Sequence, residues 1–531
     1  MKKIYLLFSI VVSMSAVAQD WQWMTGIEQG FGGYYDLVST DAAGNVYTYA
    51  TISENVTMPG YQVNKTGTGN DIYFVKFNAS GEMQWYRHPA GNGTESLWNM
   101  DVDASGNIFI SGSFTNGISF GTQSFTGLGS FVAKYDTNGN LLWVKRFTLS
   151  WHKRLRVDTA GNIYLVGTFN SPLTYGNITL TPATGNGAAF IIKLNPVGDI
   201  LWGRLADHSS NSFNDVYDVT ADSTGNIYMS GTFGTGTLTL GGITLTSPHG
   251  SNAYIVKYNS DGTEQWAKRT GDGSCAVSIM SVEPDADGNI FASGTFCGTL
   301  DLESPSLTAS SGSRLFIAKY TSGGTVLWAK TAMPGGNSSS IRSADLDANG
   351  NLIVSGNAKG NVNLGNNVVL NTSFEAKYIA KYSSDGTPQW ITGSSETGIN
   401  NEISVECWGE NIIYSAGVII NTPTLTFGDL TYTKTGANLY NIHIGRLLDN
   451  ALSVPKFDAG SFSVYPNPVA DVLNIDTQEN VESIVIADLN GRVVASAYQA
   501  ASIKTENLAK GVYLLTVSVP SGKITRKIIK E

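Results

Sequence analysis

Apolar and polar residues alternate with a period of two through long stretches of this chain, and one recurrent turn punctuates the alternation. In DSTGNIYMSGTF, Asp222 to Phe233, a tight turn leads into a half-buried strand pattern. Near-copies of the turn, DAAGN, DASGN, DTAGN, DSTGN, DADGN and DANGN, end at Asn45, Asn107, Asn162, Asn226, Asn289 and Asn351, and a degenerate CWGEN ends at Asn411. Successive copies lie 62, 55, 64, 63, 62 and 60 residues apart. Asp opens such a turn by accepting bonds from the backbone ahead of it, and Gly supplies the positive φ that closes it. Each unit carries a second hairpin downstream, as in YIVKYNSDGTEQW, closed by Gly and ending in Trp85, Trp143, Trp202, Trp266, Trp328 or Trp390. Two hairpins per unit predict four strands, a to d.

The seventh unit runs NIHIGRLLDN and has neither a d strand nor a Trp. A segment of the missing kind stands at the other end, WQWMTG (Trp21 to Gly26), with Trp23 placed 62 residues before Trp85. If it supplies strand d of the last unit, seven complete sheets close a ring, which removes the exposed edges of an open array. The expected fold is all-β: a seven-bladed β-propeller closed by an N-terminal strand, followed by a small C-terminal β-sandwich. The expected divisions are a signal peptide over 1–18, the propeller over 19–449, a linker over 450–460 and a C-terminal domain over 461–531. The signal peptide rests on Lys2 and Lys3 before an apolar run and on Ala16-Val17-Ala18 before Gln19. No later segment approaches the roughly 20 apolar residues of a membrane-spanning helix.

The blocks D-x-x-G-N-[IVL]-[YF] and [FY]-[IV]-x-K-[YFL]-x-x-x-G-x-x-x-W, kept in six units between Trp21 and Asp449, resemble the bacterial SBBP β-propeller repeat. The tail has YPNP (Tyr465, Pro466, Asn467, Pro468), DLNGRVV (with Asp488, Asn490 and Gly491), GVYLLTV (with Gly511 and Tyr513) and a basic end KIIK. In that order these resemble the type A C-terminal sorting domain of the Bacteroidetes type IX secretion system. The resemblance implies export through the periplasm, recognition by the type IX machinery and removal of the tail by a sortase-like transpeptidase. The mature chain is then secreted or attached to the outer-membrane surface. A permanently attached adhesive β-sandwich is the alternative.

Charge narrows the partners further. With 33 Lys+Arg against 43 Asp+Glu the formal charge is −10, which excludes an electrostatic nucleic-acid binder. Of the three cysteines, Cys275 and Cys297 flank the turn Asp285 to Gly288 symmetrically and are placed to bridge, whereas Cys407 reads as a small buried apolar residue. The short a–b and c–d turns share one face of the disc, so the variable connections gather on the other, where binding residues usually lie. These connections collect Arg87, His88, Trp151, His152, Arg154, Arg204 and His208, with Arg146, Lys153 and Arg269 beside them, and WHKRLR (Trp151 to Arg156) is the densest stretch. Arginine forks and a Trp face suit an anionic glycan. The competing reading is of solvated charges on outer strands, satisfied by nearby Asp.

Lys76, Lys134, Lys193, Lys257, Lys319 and Lys381 recur at one strand-c position, where a structural pairing with a turn Asp such as Asp103 or Asp158 is expected rather than a functional ring. DADGN (Asp285 to Asn289) has alternating oxygen ligands but no later bidentate Glu, so a plain turn is expected there and not a calcium loop. No pair among His88, His152, His208, His249 and His443 has metal-ligand spacing, and neither metal nor cofactor is expected. No nucleophile motif appears, and Glu95, Asp207, Asp215 and Glu396 are the carboxylates from which a glycosidase pair would be drawn. The leading expectation is a non-catalytic binding module for a glycan or surface protein. The alternative is a polysaccharide hydrolase or lyase, which two carboxylates, or a His and an Arg with a Tyr, converging on one pocket beside the axis would favour.

Overall fold

The computed structural model describes residues 19–29, 37–58, 60–148, 151–176, 178–182, 188–209, 214–271, 275–332, 339–394, 403–420, 422–434, 440–449, 462–477, 480–488, 492–519 and 522–531. The signal-peptide segment, the whole of the expected linker, Glu396, Asn490 and Gly491 lie outside them. The described residues form strands and turns without helix, in two compact units, Gln19–Asp449 and a C-terminal unit beyond it. No helix is long and apolar enough to cross a membrane among the described residues.

Seven antiparallel sheets with the order a-b-c-d follow one another along the first unit, among the described residues. The second is representative: strand a is Glu95–Val102, b Ile108–Phe114, c Gly129–Tyr135 and d Leu141–Phe147. Strands b and c are almost wholly buried, because sheets pack against both of their faces, and d alternates. In the seventh sheet, Ile403–Trp408, Ile412–Ile420 and Tyr440–Leu448 are followed not by a later strand but by Asp20–Gln29. That strand runs antiparallel to Tyr440–Leu448, from Asp20 opposite Leu448 to Gln29 opposite Tyr440. The N-terminal segment thus occupies the d position expected of it.

The recurrent turn forms as its chemistry dictates. Asp103 accepts the Ser105 and Asn107 N–H groups at 3.0 and 2.9 Å and the Asn107 side-chain amide at 2.8 Å, and Gly106 sits at φ 77°. Between sheets the repeat explains itself. The indole of Trp202 and the ammonium of Lys193 both donate to Ser260 O, in the c–d turn of the next sheet, at 3.1 and 3.2 Å. Trp266 and Lys257 donate to Ser322 O at 3.0 and 3.1 Å. Trp390 and Lys381 grip the Asp449 carboxylate at 3.1 and 2.6 Å. Trp23 donates to Ala79 O at 3.0 Å, so the seventh sheet grips the first in the same way.

Three of the lysines also reach the turn Asp of their own sheet, the kind of pairing expected from sequence. Lys319 pairs with Asp285 and Lys381 with Asp347, each at 2.8 Å, and Lys76 lies 3.7 Å from Asp41. Lys134 instead lies over the Phe109 ring, 4.8 Å from its centre. The reason is geometric: strand c and the a–b turn of one sheet end on the same side, one strand apart.

Two expectations change. Trp151–Val157 is strand a of the third sheet and not a loop, since Leu155 and Val157 continue the alternation into its core. A hairpin between strands b and c of the fourth sheet, Gly236–Leu240 and Ile243–Ser247, adds two strands to the outer edge of the third. Cys275 and Cys297 form a disulfide with their Cα atoms 5.5 Å apart.

In the C-terminal unit a three-stranded sheet (Phe462–Tyr465, Val472–Thr477, Ser502–Lys504) accompanies a four-stranded one (Val493–Tyr498, Ser483–Ala487, Gly511–Val519, Gly522–Lys530). Val469, Leu473, Ile484, Ile486, Leu515 and Ile528 form their common core.

Candidate functional site

The junction of the first and second sheets brings chemistry together. Asp71 begins strand c of the first sheet, His88 follows its strand d, Met83–Arg87, and Glu95 begins the second sheet. Asp71 is fully buried. Its Oδ2 accepts the Thr66 N–H at 2.6 Å, the Thr66 hydroxyl at 3.1 Å and the His88 Nε2–H at 2.9 Å. Burial, with the Asp71 charge behind it, pushes the Glu95 carboxyl up to about 8, so it is protonated at neutral pH. The glycines of GNGT let this loop pack so closely, and a Cβ on Gly93 would strike Thr115 O.

His88 also lines a cavity of about 420 Å³ with Arg87, Phe120, Thr122, Tyr135 and Leu141. Arg87 stacks on Trp85 at 4.8 Å and donates to Tyr86 O, Asn138 O and Gly139 O. Three of its N–H groups are thereby used, and two remain. The corresponding crevice between the fourth and fifth sheets, lined by Lys268, Arg269, Tyr320 and Val326 among others, holds only about 10 Å³.

A second concentration of charge lies on the innermost strands. Each strand a has an unpaired edge, and side chains of the neighbouring strand a satisfy its N–H groups. Asn99 Oδ1 accepts from Leu155 N at 3.0 Å, Asp101 from Val157 N at 2.7 Å, Asp218 from Val282 N at 2.8 Å and Asp345 from Cys407 N at 2.6 Å. Arg154 and Asp218, both buried, pair at 2.8 Å. Burial pushes Asp345 up to about 6 and Glu283 well above the carboxylate range, the Asp218 and Asp345 charges adding to the effect at Glu283. These groups bind the sheets together and are committed to one another. A β-bulge recurs just before them, between Leu97 and Asn99, His152 and Arg154, Val216 and Asp218, Ile279 and Ser281, and Ile341 and Ser343.

The residues singled out from sequence therefore do not form one surface. Arg87 and His88 share the first crevice, and Trp151 is exposed on the third sheet. His152 is buried beside Phe147 and Phe190, and burial pushes its imidazole down to about 3. Arg154 is sealed against Asp218, because alternation on an innermost strand turns every second side chain toward the neighbouring sheet. Arg204 is a sheet-to-sheet tie, donating to Gly262 O at 2.7 Å and Asp261 O at 3.1 Å, and His208 is buried by Phe233. Asp215 pairs with Lys153 at 3.4 Å.

Asp71 escaped the sequence reading. The signal was a comparison between repeats at two positions, five before the strand-c lysine and three after the tryptophan. They hold Asp71 with His88 in the first sheet and Asn252 with Arg269 in the fourth, and the second pair also bonds, at 2.7 Å.

In the tail, Asn467 bonds to both Lys527 O and Ile529 N, at 3.1 and 2.9 Å, which fixes the YPNP turn to the last strand. Asp488 accepts from Arg492 N and Nε at 3.0 and 3.1 Å, Tyr513 donates to Ala509 O at 2.9 Å, and Tyr465 is exposed.

Residues 463–531 match the secretion system C-terminal sorting domain, so the tail marks the chain for export to the cell surface or the medium. An uncharacterized WD repeat-containing protein, L264, of Acanthamoeba polyphaga mimivirus is 22% identical over 448 residues, covering 68% of this chain and 32% of that protein. The chain thus spans about a third of that relative's length. Among solved structures, the Dos1 propeller is similar at 10% identity and a TM-score of 0.39, over 81% of this chain and 95% of that one. An ulvan lyase of family PL25 is similar at 10% identity and 0.39, over 75% and 93%. Puromycin hydrolase is similar at 11% and 0.40, over 94% and 58%.

Proposed function

We propose that this protein is an exported, seven-bladed β-propeller, closed by its N-terminal strand, that acts outside the cell as a non-catalytic binding module for a glycan or surface partner. The sorting tail over 463–531 carries the export half of the reading. The open crevice at Arg87 and His88 carries the binding half. Support for closure comes from the bonds between the seventh sheet and the first: Leu37 N to Ser404 Oγ at 2.9 Å, Tyr414 OH to Gly44 O at 3.0 Å, and the Trp23 indole to Ala79 O. In this reading the type IX machinery recognises the tail and a sortase-like transpeptidase removes it.

A second reading has one specific observation in its favour. A His, an Arg and a Tyr, namely His88, Arg87 and Tyr135, line one crevice, as a hydrolase or lyase site would require. They lie on outer strands rather than on the innermost ones. The test is a glycan array probed with the full chain, followed by product analysis on every glycan retained. Retention with the glycan intact is the expected result, and released oligosaccharide would replace the binder with the enzyme.

A further inference from the structure

We propose that the crevice between the first and second sheets binds a pyranose carrying a carboxylate. This inference rests on the glycan-binding reading above and gives it a site and a ligand class.

The crevice is open for a reason the repeats make visible. Between the fourth and fifth sheets the same place is closed by Lys268 reaching Glu303 at 3.0 Å. In the second sheet Gly121 stands where the fifth has Glu303, and an added Cβ there would meet no atom within 4 Å. Arg87, the counterpart of Lys268, is turned back onto the carbonyls of the Asn138–Gly139 turn. The side chains that would close the junction are absent or held away from it, and about 420 Å³ remains. That falls within the roughly 300–1,000 Å³ of small-molecule sites.

The walls select an acceptor-rich ligand. Arg87 keeps two N–H groups. The Tyr135 hydroxyl has no hydrogen-bond partner although the residue is only 3% exposed, and burial raises its pKa, so it remains a donor. The Thr122 hydroxyl is exposed at the rim and also unbonded. Asn140 spends its amide on Asp136 at 2.8 Å, and the Asp136 carboxylate is occupied by that turn. Phe120, Leu141 and the Tyr135 ring supply the apolar surface on which the face of a sugar rests. His88, fixed through Nε2 by Asp71, leaves Nδ1 without a protein partner beside this surface. Donors outnumber acceptors on a floor of aromatic and aliphatic carbon, and a uronate residue presents the complementary pattern: a two-point carboxylate and a ring with an apolar face.

The test is calorimetric titration of the full chain with trigalacturonate and triglucuronate, against the neutral trigalactose. One of the two acids is expected to bind at least about tenfold more tightly than the neutral trimer, as the loss of a hydrogen bond to a charged group implies. Thr122→Trp, which places an indole in the crevice from an exposed position, is expected to abolish that binding with an unchanged melting temperature. Tyr135→Phe, which removes only the hydroxyl, is expected to weaken it by roughly three- to tenfold. Equal affinity for neutral and acidic trimers, no binding of either acid, or binding undisturbed in Thr122→Trp would each overturn the proposal. Glycans retained on the array equally by the chain and by Thr122→Trp would sink this site while leaving a binder. An array on which nothing is retained would sink the glycan reading itself.

Discussion

Glu95, His152 and His443 show how burial, the largest influence on each, gives this protein opposite pH responses. Glu95 has its carboxyl raised from 4.5 to about 8, so the folded chain holds a proton that the unfolded chain has released. Its contribution is fully present below pH 4.5 and is lost as pH rises toward 8. His152 and His443 are lowered from 6.5 to about 3 by burial, so the unfolded chain takes protons that the folded one refuses. Their contribution is lost as pH falls below 6.5. Melting curves are therefore expected to fall on both sides of an optimum. Glu95→Gln should flatten the alkaline side, and His152→Phe with His443→Phe the acid side, where each His contributes a slope on the order of 1.4 kcal/mol per pH unit. Slopes unchanged in these variants would refute the assignment. Arg154 is a second case: Arg154→Leu leaves Asp218 buried without its charge partner and should cost roughly 3–5 kcal/mol in a denaturant titration. Arg154→Leu with Asp218→Leu should recover much of that loss. None of this burial was legible in WHKRLR, because a run of charges on an innermost strand has the same letters as a run on a loop.

Each element is held by a few repeated bonds rather than by one strong one. The clasp of Trp266 and Lys257 on Ser322 O recurs around the unit with changed partners, and its value lies in satisfying a turn carbonyl that faces the next sheet. Trp266→Phe keeps the ring and removes the donor, and is expected to cost about 1 kcal/mol, measured as a lower denaturation midpoint. Lys257→Met removes the other donor to the same oxygen. The double variant should cost more than the sum of the singles, since only then is the carbonyl left with neither partner, and strict additivity would show the two bonds to be independent. The hairpins themselves were legible residue by residue: Asp, Gly and Asn stand where the backbone demands them. What the hairpins grip was not legible, because Ser260, Ser322 and Asp449 act through oxygens that an unrelated turn could equally present.

Across the whole first unit, the pairing of Asp20–Gln29 with Tyr440–Leu448 joins chain segments more than 400 residues apart. Without the N-terminal strand, Tyr440–Leu448 becomes an open edge with apolar Ile442, Ile444 and Leu447 along it. Deletion through Gln29 is expected to lower the melting temperature by several degrees and to produce concentration-dependent light scattering. A deletion variant that melts like the parent and stays monomeric would exclude a structural role for the strand. The missing Trp in the seventh unit and the surplus Trp23 make this pairing readable in the sequence, since a defect at one end matches an excess at the other.

The sequence by itself determined the strands, their turns, the count of repeats, the N-terminal partner of the last sheet and the address carried by the tail. All of these follow from local backbone chemistry or from periodicity, which a linear string preserves. Tertiary structure alone decided which charged side chains are buried ties and which face solvent. It brought Asp71, His88 and Glu95 together, and it left one of the repeated sheet junctions open where its counterpart is filled. Burial and proximity arise from packing between sheets, and at Gly121 the decisive feature is a side chain that is not there.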